Sequence, residues 1–549
     1  MLSTILLSAA ALAFAWLVVR RVQLSLAKHP SLSGHVRMAR RLSRLLPYYE
    51  FDAGRFFDAD GIDPAIAARR RAGFERLAAL SARQSRSIAL TDDIRSSVAD
   101  VDFTSRYRVP FPFSRLVRER LPSAVFLARA EGPRVTDLDG NEFIDVTGSY
   151  GVNLLGNDAY KAFIDRAAIR ARDLGPLLGP YHPLLASNVR RLCAISGHDS
   201  VSFHMSGTEA VMQAVRLARY HTRRERIVRF CGAYNGWWDD VQPGVGNPVA
   251  PRATLTLREM HAATLRVIRS RRDIACVLVN PLQALHPNAS APADSALIDS
   301  SRRAGFDRAA YTRWLKDLRE ACDASGTVLV FDEVFVGFRL AIGGAQEYFG
   351  VRADLVTYGK SLGGGLPIGV LCGPRTLMQR YRETHPADIC FARGTFNSHP
   401  YVMAAMHEFL DHLDQPAVRA SYARLDATWD VRAGEFNARL QRAGLPVRIA
   451  HLSSIWTVLY ERPSRYNWML QYYLRAAGLL LPWIGTGRMI FPINLPDAEF
   501  AEIAARFESA AAAMAADGWW EGPATTDQAI RRQVSREMRS QWLRSRLTS

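Results

Sequence analysis

The chain has 549 residues, 48% of them apolar and 22% charged, and a formal net charge of +17. The length predicts two or three structural units, and the composition excludes extensive disorder. The basic excess is arginine spread among acids, with no zinc-finger spacing, RNA-binding aromatic motif or basic zipper, so nucleic acid is not an expected partner.

Residues 2–19, "LSTILLSAAALAFAWLVV", are almost unbroken apolar sequence, followed by Arg20 and Arg21. As a helix they cover about 27 Å, close to the hydrocarbon thickness of a bilayer. A cleaved signal peptide would want positive charge ahead of the apolar run. A signal anchor with its charge on the C-terminal side fits better. It predicts a single-pass protein of a bacterial-type inner membrane with its catalytic part in the cytoplasm. A merely exposed or buried N-terminal helix is the remaining alternative. On the anchor reading, "RMARRLSRLLPYYEF" (37–51) is a basic amphipathic segment that lies on the inner leaflet.

Residues 61–98 read as helical, with Asp63-Pro64 as the start signal. Residues 132–151 read as a hairpin, with strands at Val135–Leu138 and Phe143–Val146 around an Asp-Gly turn. From about 160 to 400, helical stretches alternate with the strands 200–205, 226–230, 275–280, 327–332, 355–359 and 368–373. That alternation predicts an α/β fold with a mainly parallel sheet between helices. Residues 401–520 begin with a helix and continue as a smaller α+β region. Residues 525–549 form a basic amphipathic helix. The expected organisation is an anchor (1–21), a basic helical juxtamembrane region (22–105), the N-terminal part of a small domain (106–160), a large domain (161–400), the rest of the small domain (401–520) and a helical tail (521–549). The six cysteines include no C-x-x-C pair and read as reduced thiols, with no metal site.

Ligands of parallel α/β sheets bind at the carboxyl ends of the strands. After 200–205 come Ser206, Gly207 and Thr208 at a helix start, either a simple N-cap or a phosphate cradle. After 226–230 comes Tyr234, flanked by small residues as if displayed from a turn. After 327–331 come Asp332 and Glu333. A buried acid there needs a partner, such as a cationic ring nitrogen, an arginine or a helix N-terminus. After 355–359 comes Lys360, one of only four lysines in the chain. Partly desolvated near a phosphate site, it can lose its proton and act as an amine nucleophile. Phosphate cradle, stacking aromatic, strand-end Asp and sheet-end Lys, in that order, are what pyridoxal phosphate requires.

The chain resembles the class III pyridoxal-phosphate aminotransferases of fold type I, most of all the branch containing glutamate-1-semialdehyde 2,1-aminomutase. "FDEVFVGFRLAIGGAQEYFGVRADLVTYGKSLGGGLPIGVLCG" (331–373) carries the resemblance, with "DLDGNEFIDVTGSYGVNLLG", "MSGTEAVMQAVRLAR" and "GTFNSHP" in support. The resemblance covers about 130–515. It implies a seven-stranded large domain, pyridoxal 5'-phosphate as cofactor, and a homodimer. It implies Lys360 as the Schiff-base lysine and Asp332 as the partner of the ring nitrogen. Val334 and Tyr234 would flank the ring, with Ser206, Gly207 and Thr208 at the phosphate. Gln283 would lie near the ring hydroxyl, and Thr395 would reach the phosphate of the other subunit. Four departures from the family pattern stand out. They are Asn235 and Asn280, "GNDAY" (156–160) and Ser398-His399-Pro400. With the anchor, they suggest a small-molecule or acyl, lipid-like carbonyl substrate that receives its amine from an amino donor. Arg115, Arg118 and Arg488 are candidates for a substrate carboxylate. Another pyridoxal-phosphate reaction on the same scaffold, or a catalytically silent membrane scaffold, are the alternatives.

Overall fold

The structure is a computed structural model that describes all residues except 1, 108, 123–125, 243, 248–252, 289–299, 301, 483–486, 524 and 548–549. The chain divides into two units. The first comprises Met1–Ser43, Ala171–Ala289 and Asp307–His407; the second comprises Arg44–Arg170, Ser290–Phe306 and Glu408–Ser549.

The first unit is built on seven strands. These are β1 (Ser200–His204), β2 (Arg226–Phe230), β3 (Thr254–Leu257), β4 (Ile274–Val279), β5 (Val328–Asp332), β6 (Leu355–Gly359) and β7 (Gly369–Gly373). Their order across the sheet is β1-β7-β6-β5-β4-β2-β3. All run parallel except β7, which is antiparallel to both neighbours. Strands β4 to β7 are buried along their whole length, which is why they read as continuous apolar runs in the sequence. The sequence reading missed β3. It is four residues long, "TLTL", and its polar threonines alternate with leucines at the sheet edge.

Three N-terminal elements belong to the same unit: α1 (Leu2–Ala27), a short 3-10 turn (Leu32–Gly34) and α2 (Val36–Ser43). The apolar run therefore continues as helix past Arg20 and Arg21 to Ala27. From Ile5 to Val19 its large apolar side chains are exposed. Its far end is stitched to the sheet edge. Arg258 N–H donates to the Ala27 carbonyl (2.8 Å), Arg258 Nε donates to the Lys28 carbonyl (2.9 Å), and Lys28 bridges Leu257 of β3. The open edge of the sheet is thereby covered, as edge strands require.

The second unit holds a four-stranded sheet of Leu127–Glu131, Arg134–Asp137, Glu142–Asp145 and Leu479–Leu480, and a three-stranded sheet of Val447–Leu452, Ile455–Tyr460 and Arg488–Ile490. Aromatic rings fill its core; Trp429 stacks on Phe491 at 5.4 Å. Two expectations for this region are corrected. The helix over 61–98 is broken into Pro64–Ser81 and Ser85–Ile94, with Asp63 capping the first through Ala65 N–H. The amphipathic segment over 37–51 stops being helical at Ser43. Beyond it, Tyr49 and Phe51 are buried against Phe111 and Phe113 at 5.1 and 4.9 Å, because aromatic burial outweighs a continued surface helix. The tail is helical over Asp527–Leu547. One face of it is docked, with Ile530 buried and Glu537 accepting from Arg465 at 2.7 and 2.9 Å.

Candidate active site

The carboxyl ends of β1, β2, β5 and β6 converge. Ser206 caps the helix α3 (Gly207–Thr222), its hydroxyl accepting from Glu209 N–H. Gly207 and Thr208 occupy the first turn, where no intrahelical carbonyl can reach their N–H groups. Gly207 packs directly on the loop after β5, since a Cβ there would fall 2.5 Å from Val334 Cγ1. A Cβ on Gly359, at the end of β6, would lie 3.2 Å from the same atom. The loop after β2 closes the group. Gly236 has φ +97°, and a Cβ on it would meet Thr208 Oγ1 at 2.9 Å.

Asp332 ends β5 and is only 4% exposed. The β5–β6 register sets it beside Thr357, whose hydroxyl donates to Oδ1 at 3.4 Å. Val334 N–H donates to the same oxygen at 3.3 Å, and Asn235 Nδ2 donates to Oδ2 at 2.8 Å. Burial pushes the Asp332 carboxyl above its usual range, against the Asn235 bond and the charge of Lys360, which pull it down. Lys360 follows β6 with φ +48°, a left-handed conformation that costs a non-glycine residue energy and clusters at functional sites. Its Nζ lies 4.8 Å from the centre of the Phe335 ring. Glu333 points away from this group. Its carboxylate accepts from Ala345 and Gln346 N–H at 2.6 and 3.1 Å, and burial pushes its pKa up to about 8.

Tyr234 is 55% exposed, and its carbonyl accepts from Asn280 Nδ2 at 2.7 Å. Gln283 lies in the turn that follows β4, and its buried Oε1 finds no hydrogen-bond partner among the described residues. The same holds for Asn235 Oδ1. Two orphaned buried polar atoms, an acid facing a lysine and a helix start crowded by glycines fit a planar, phosphorylated, cationic group.

Of the predicted site residues, the structure brings Gly207, Thr208, Val334, Asp332 and Lys360 into one group, and Asn235 joins them. Thr395 is exposed ahead of the helix Pro400–Leu413 and makes no hydrogen bond to that group among the described residues. The three arginines lie in the second unit. Arg115 and Arg118 face Glu50 at 3.3 and 4.0 Å. Arg488 is held on its strand, with burial and then Arg302 lowering its pKa to about 10. Two residues carry more than the sequence reading gave them. Asn235, noted only as a departure, is the shortest bond to Asp332. Thr357, hidden in an apolar strand, is visible only through strand register.

The family model for class III aminotransferases matches residues 117–510. Glutamate-1-semialdehyde 2,1-aminomutase of Nitratidesulfovibrio vulgaris is 36% identical over 344 residues, 61% of this chain and 77% of that protein. The enzyme of the same name from Citrifermentans bemidjiense is 31% identical over 366 residues, 63% of this chain and 78% of its own. Among solved structures, a transaminase with pyridoxal phosphate bound superposes with a TM-score of 0.62 at 27% identity, covering 79% of this chain and 99% of that one. A glutamate-1-semialdehyde aminomutase from Pseudomonas aeruginosa shares the fold with a TM-score of 0.65 at 17% identity, over 81% and 99% of the two chains. The chain belongs to the class III aminotransferases and is a pyridoxal-phosphate-dependent aminotransferase or aminomutase, similar to the glutamate-1-semialdehyde aminomutase branch.

Proposed function

We propose that the chain is a membrane-associated, dimeric class III enzyme that moves an amino group from an amino donor onto a lipophilic or acyl carbonyl substrate. The observation that carries the chemistry is the buried Asp332, bonded by Asn235 and one strand away from Lys360. Bound pyridoxal phosphate supplies an aldehyde for the amine and a ring that delocalises the electron pair left on carbon. Lys360 would hold the cofactor through its Nζ, condensing with the aldehyde with loss of water, and would carry the proton between carbon atoms. Asp332 holds a proton on the ring nitrogen, and Asn235 orients its carboxylate. Ser206 and the first-turn N–H groups of Gly207 and Thr208 bind the phosphate. Val334 and Tyr234 would flank the ring, Gln283 Oε1 would accept from the ring hydroxyl, and Thr395 would reach the phosphate of a partner subunit.

Membrane association rests on α1. Its stretch Ile5–Ala27 has a mean hydropathy of 1.9 and is long enough to span a bilayer. Such an anchor suits an acyl substrate better than a small soluble one. The departures at Tyr234-Asn235-Gly236 and at "GNDAY" (156–160), expected near the mouth of the site, support a substrate other than the semialdehyde.

The protein, purified in mild detergent, is expected to absorb visible light, to lose that band when an amino donor is added, and to lack it in Lys360→Ala. A colourless protein that stays colourless with added pyridoxal phosphate would reject the assignment of these residues. Acyl aldehydes and β-keto acyl thioesters, assayed beside glutamate-1-semialdehyde, decide the substrate. Turnover of the semialdehyde alone removes the acyl reading.

A further inference from the structure

A cavity of about 630 Å³ lies where the N-terminal segment meets the sheet edge. None of the residues that line it belongs to the lysine–aspartate site. Part of its lining is apolar, from Leu24, Val36, Met38 and Leu255. Part of it is basic. Lys28 projects from the end of α1, Arg37 and Arg41 from one face of α2, and Arg226 from β2. No acidic side chain is among the described residues that line it, and Arg226 is turned to Asp273 at 2.8 Å. Burial, and then the charge of Arg37, hold the Lys28 amine below its usual range. Lys28 is half-buried, Arg37 and Arg41 are exposed at the rim, and no carboxylate lines the cavity beside them, so their summed field favours an anionic amphiphile.

Position along α1 identifies the amphiphile. Leu24 and Lys28 lie four and eight residues beyond Arg20, about 6 and 12 Å along the axis. That is headgroup depth when the apolar run ending at Val19, ahead of Arg20 and Arg21, crosses the hydrocarbon core. The rim is fixed to the fold, because Ala27 and Lys28 are bonded to Arg258 at the end of β3. Gly34 is pressed against the His29 backbone so closely that no Cβ would fit. The cavity is therefore built into the first unit.

We propose that this cavity binds one anionic phospholipid of the membrane in which α1 is embedded. Its phosphate sits among Lys28, Arg37 and Arg41, and its glycerol and upper chain lie against Leu24, Val36 and Met38. The proposal rests on the anchor reading of α1. It makes the lipid a clamp between membrane and catalytic unit.

Full-length protein in neutral detergent, titrated with phosphatidylglycerol and followed by native mass spectrometry, is expected to retain one lipid per chain. Arg37→Gln/Arg41→Gln should weaken retention about thirtyfold, at roughly fivefold per arginine. Arg40→Gln/Arg44→Gln removes the same charge from the same segment outside the cavity and should weaken retention no more than about threefold. Equal losses in the two pairs, equal retention of phosphatidylcholine, or displacement of the lipid by millimolar inorganic phosphate would each overturn the proposal. Flotation on phosphatidylcholine vesicles tests the anchor separately. Wild type and both variants should float alike. If none floats on any vesicle, the anchor reading fails. Water-soluble short-chain phosphatidylglycerol then decides the cavity: binding lost only in Arg37→Gln/Arg41→Gln supports it, and no binding by the wild type rejects it.

Discussion

Two strand ends in the same sheet each bury an acid. At the end of β5, Asp332 receives three hydrogen bonds and shares its surroundings with Lys360. Just past β3, Glu259 is 1% exposed; its Oε1 accepts from the Tyr311 hydroxyl at 2.6 Å. Its Oε2 has no partner among the described residues. Burial pushes Glu259 up to about 8, with the Tyr311 bond only partly opposing it. A carboxyl with one phenol for company is held protonated near neutral pH. A carboxyl with several donors and a cation beside it is prepared to pair with positive charge. Burial is common to both; the neighbours decide which acid does chemistry.

The sharpest way to break this comparison is to neutralise each acid in turn. Asp332→Asn should lower kcat by about 10³-fold, within the range a positioned proton-holding group supplies, whereas Glu259→Gln should leave kcat within about twofold. Steady-state assays of both variants, with circular dichroism to confirm folding, check this. Comparable losses would mean that the distinction is wrong. Removing the best donor comes next. Asn235→Ala should cost about tenfold in turnover and about 1–3 kcal/mol in stability, read by assay and urea melt, because it strips a bond from a buried carboxyl. Gly207→Ala probes the cradle. The added methyl must displace Val334, and weaker binding of pyridoxal phosphate by about tenfold is expected in a titration, with little change in fold.

The last effect is on stability alone and lies in pH. The folded-state value of Glu259, about 8, lies above its ordinary value of 4.5, so the folded protein holds a proton that the unfolded chain has released. Its stabilising contribution is complete below about 4.5 and is lost as pH rises through about 8. Melting temperature should therefore fall across that window, and Glu259→Gln should flatten the slope. Glu333, also pushed up to about 8, leaves part of the slope in place. A variant with the wild-type slope would show that Glu259 is already ionised.

The sequence made much of the fold legible. The buried strands β4 to β7 are continuous apolar runs, and Asp63-Pro64 marks a helix start with its cap. The candidate site was legible as an order of residue types after successive strands. Edges and irregular segments were harder to read. Strand β3 is too short and too polar to stand out. "RMARRLSRLLPYYEF" carries helix-like basic spacing, yet Tyr49 and Phe51 at its end bury in the second unit. Arg115 and Arg118 looked available for a substrate carboxylate, but Glu50 faces both.

By itself, the sequence determined the α/β alternation, the chemistry-bearing residues and their order, and the apolar run that became α1. Each is a local property, fixed by periodicity, by a turn residue or by the side chain at a strand end. Only the tertiary structure decided that β7 runs against its neighbours, that Asn235 reaches Asp332 across 97 residues, and that Ala27 and Lys28 close the sheet edge. Those contacts join segments far apart in the chain. Which of many possible long-range pairs forms is set by strand register and packing, and these exist only once the sheet has assembled.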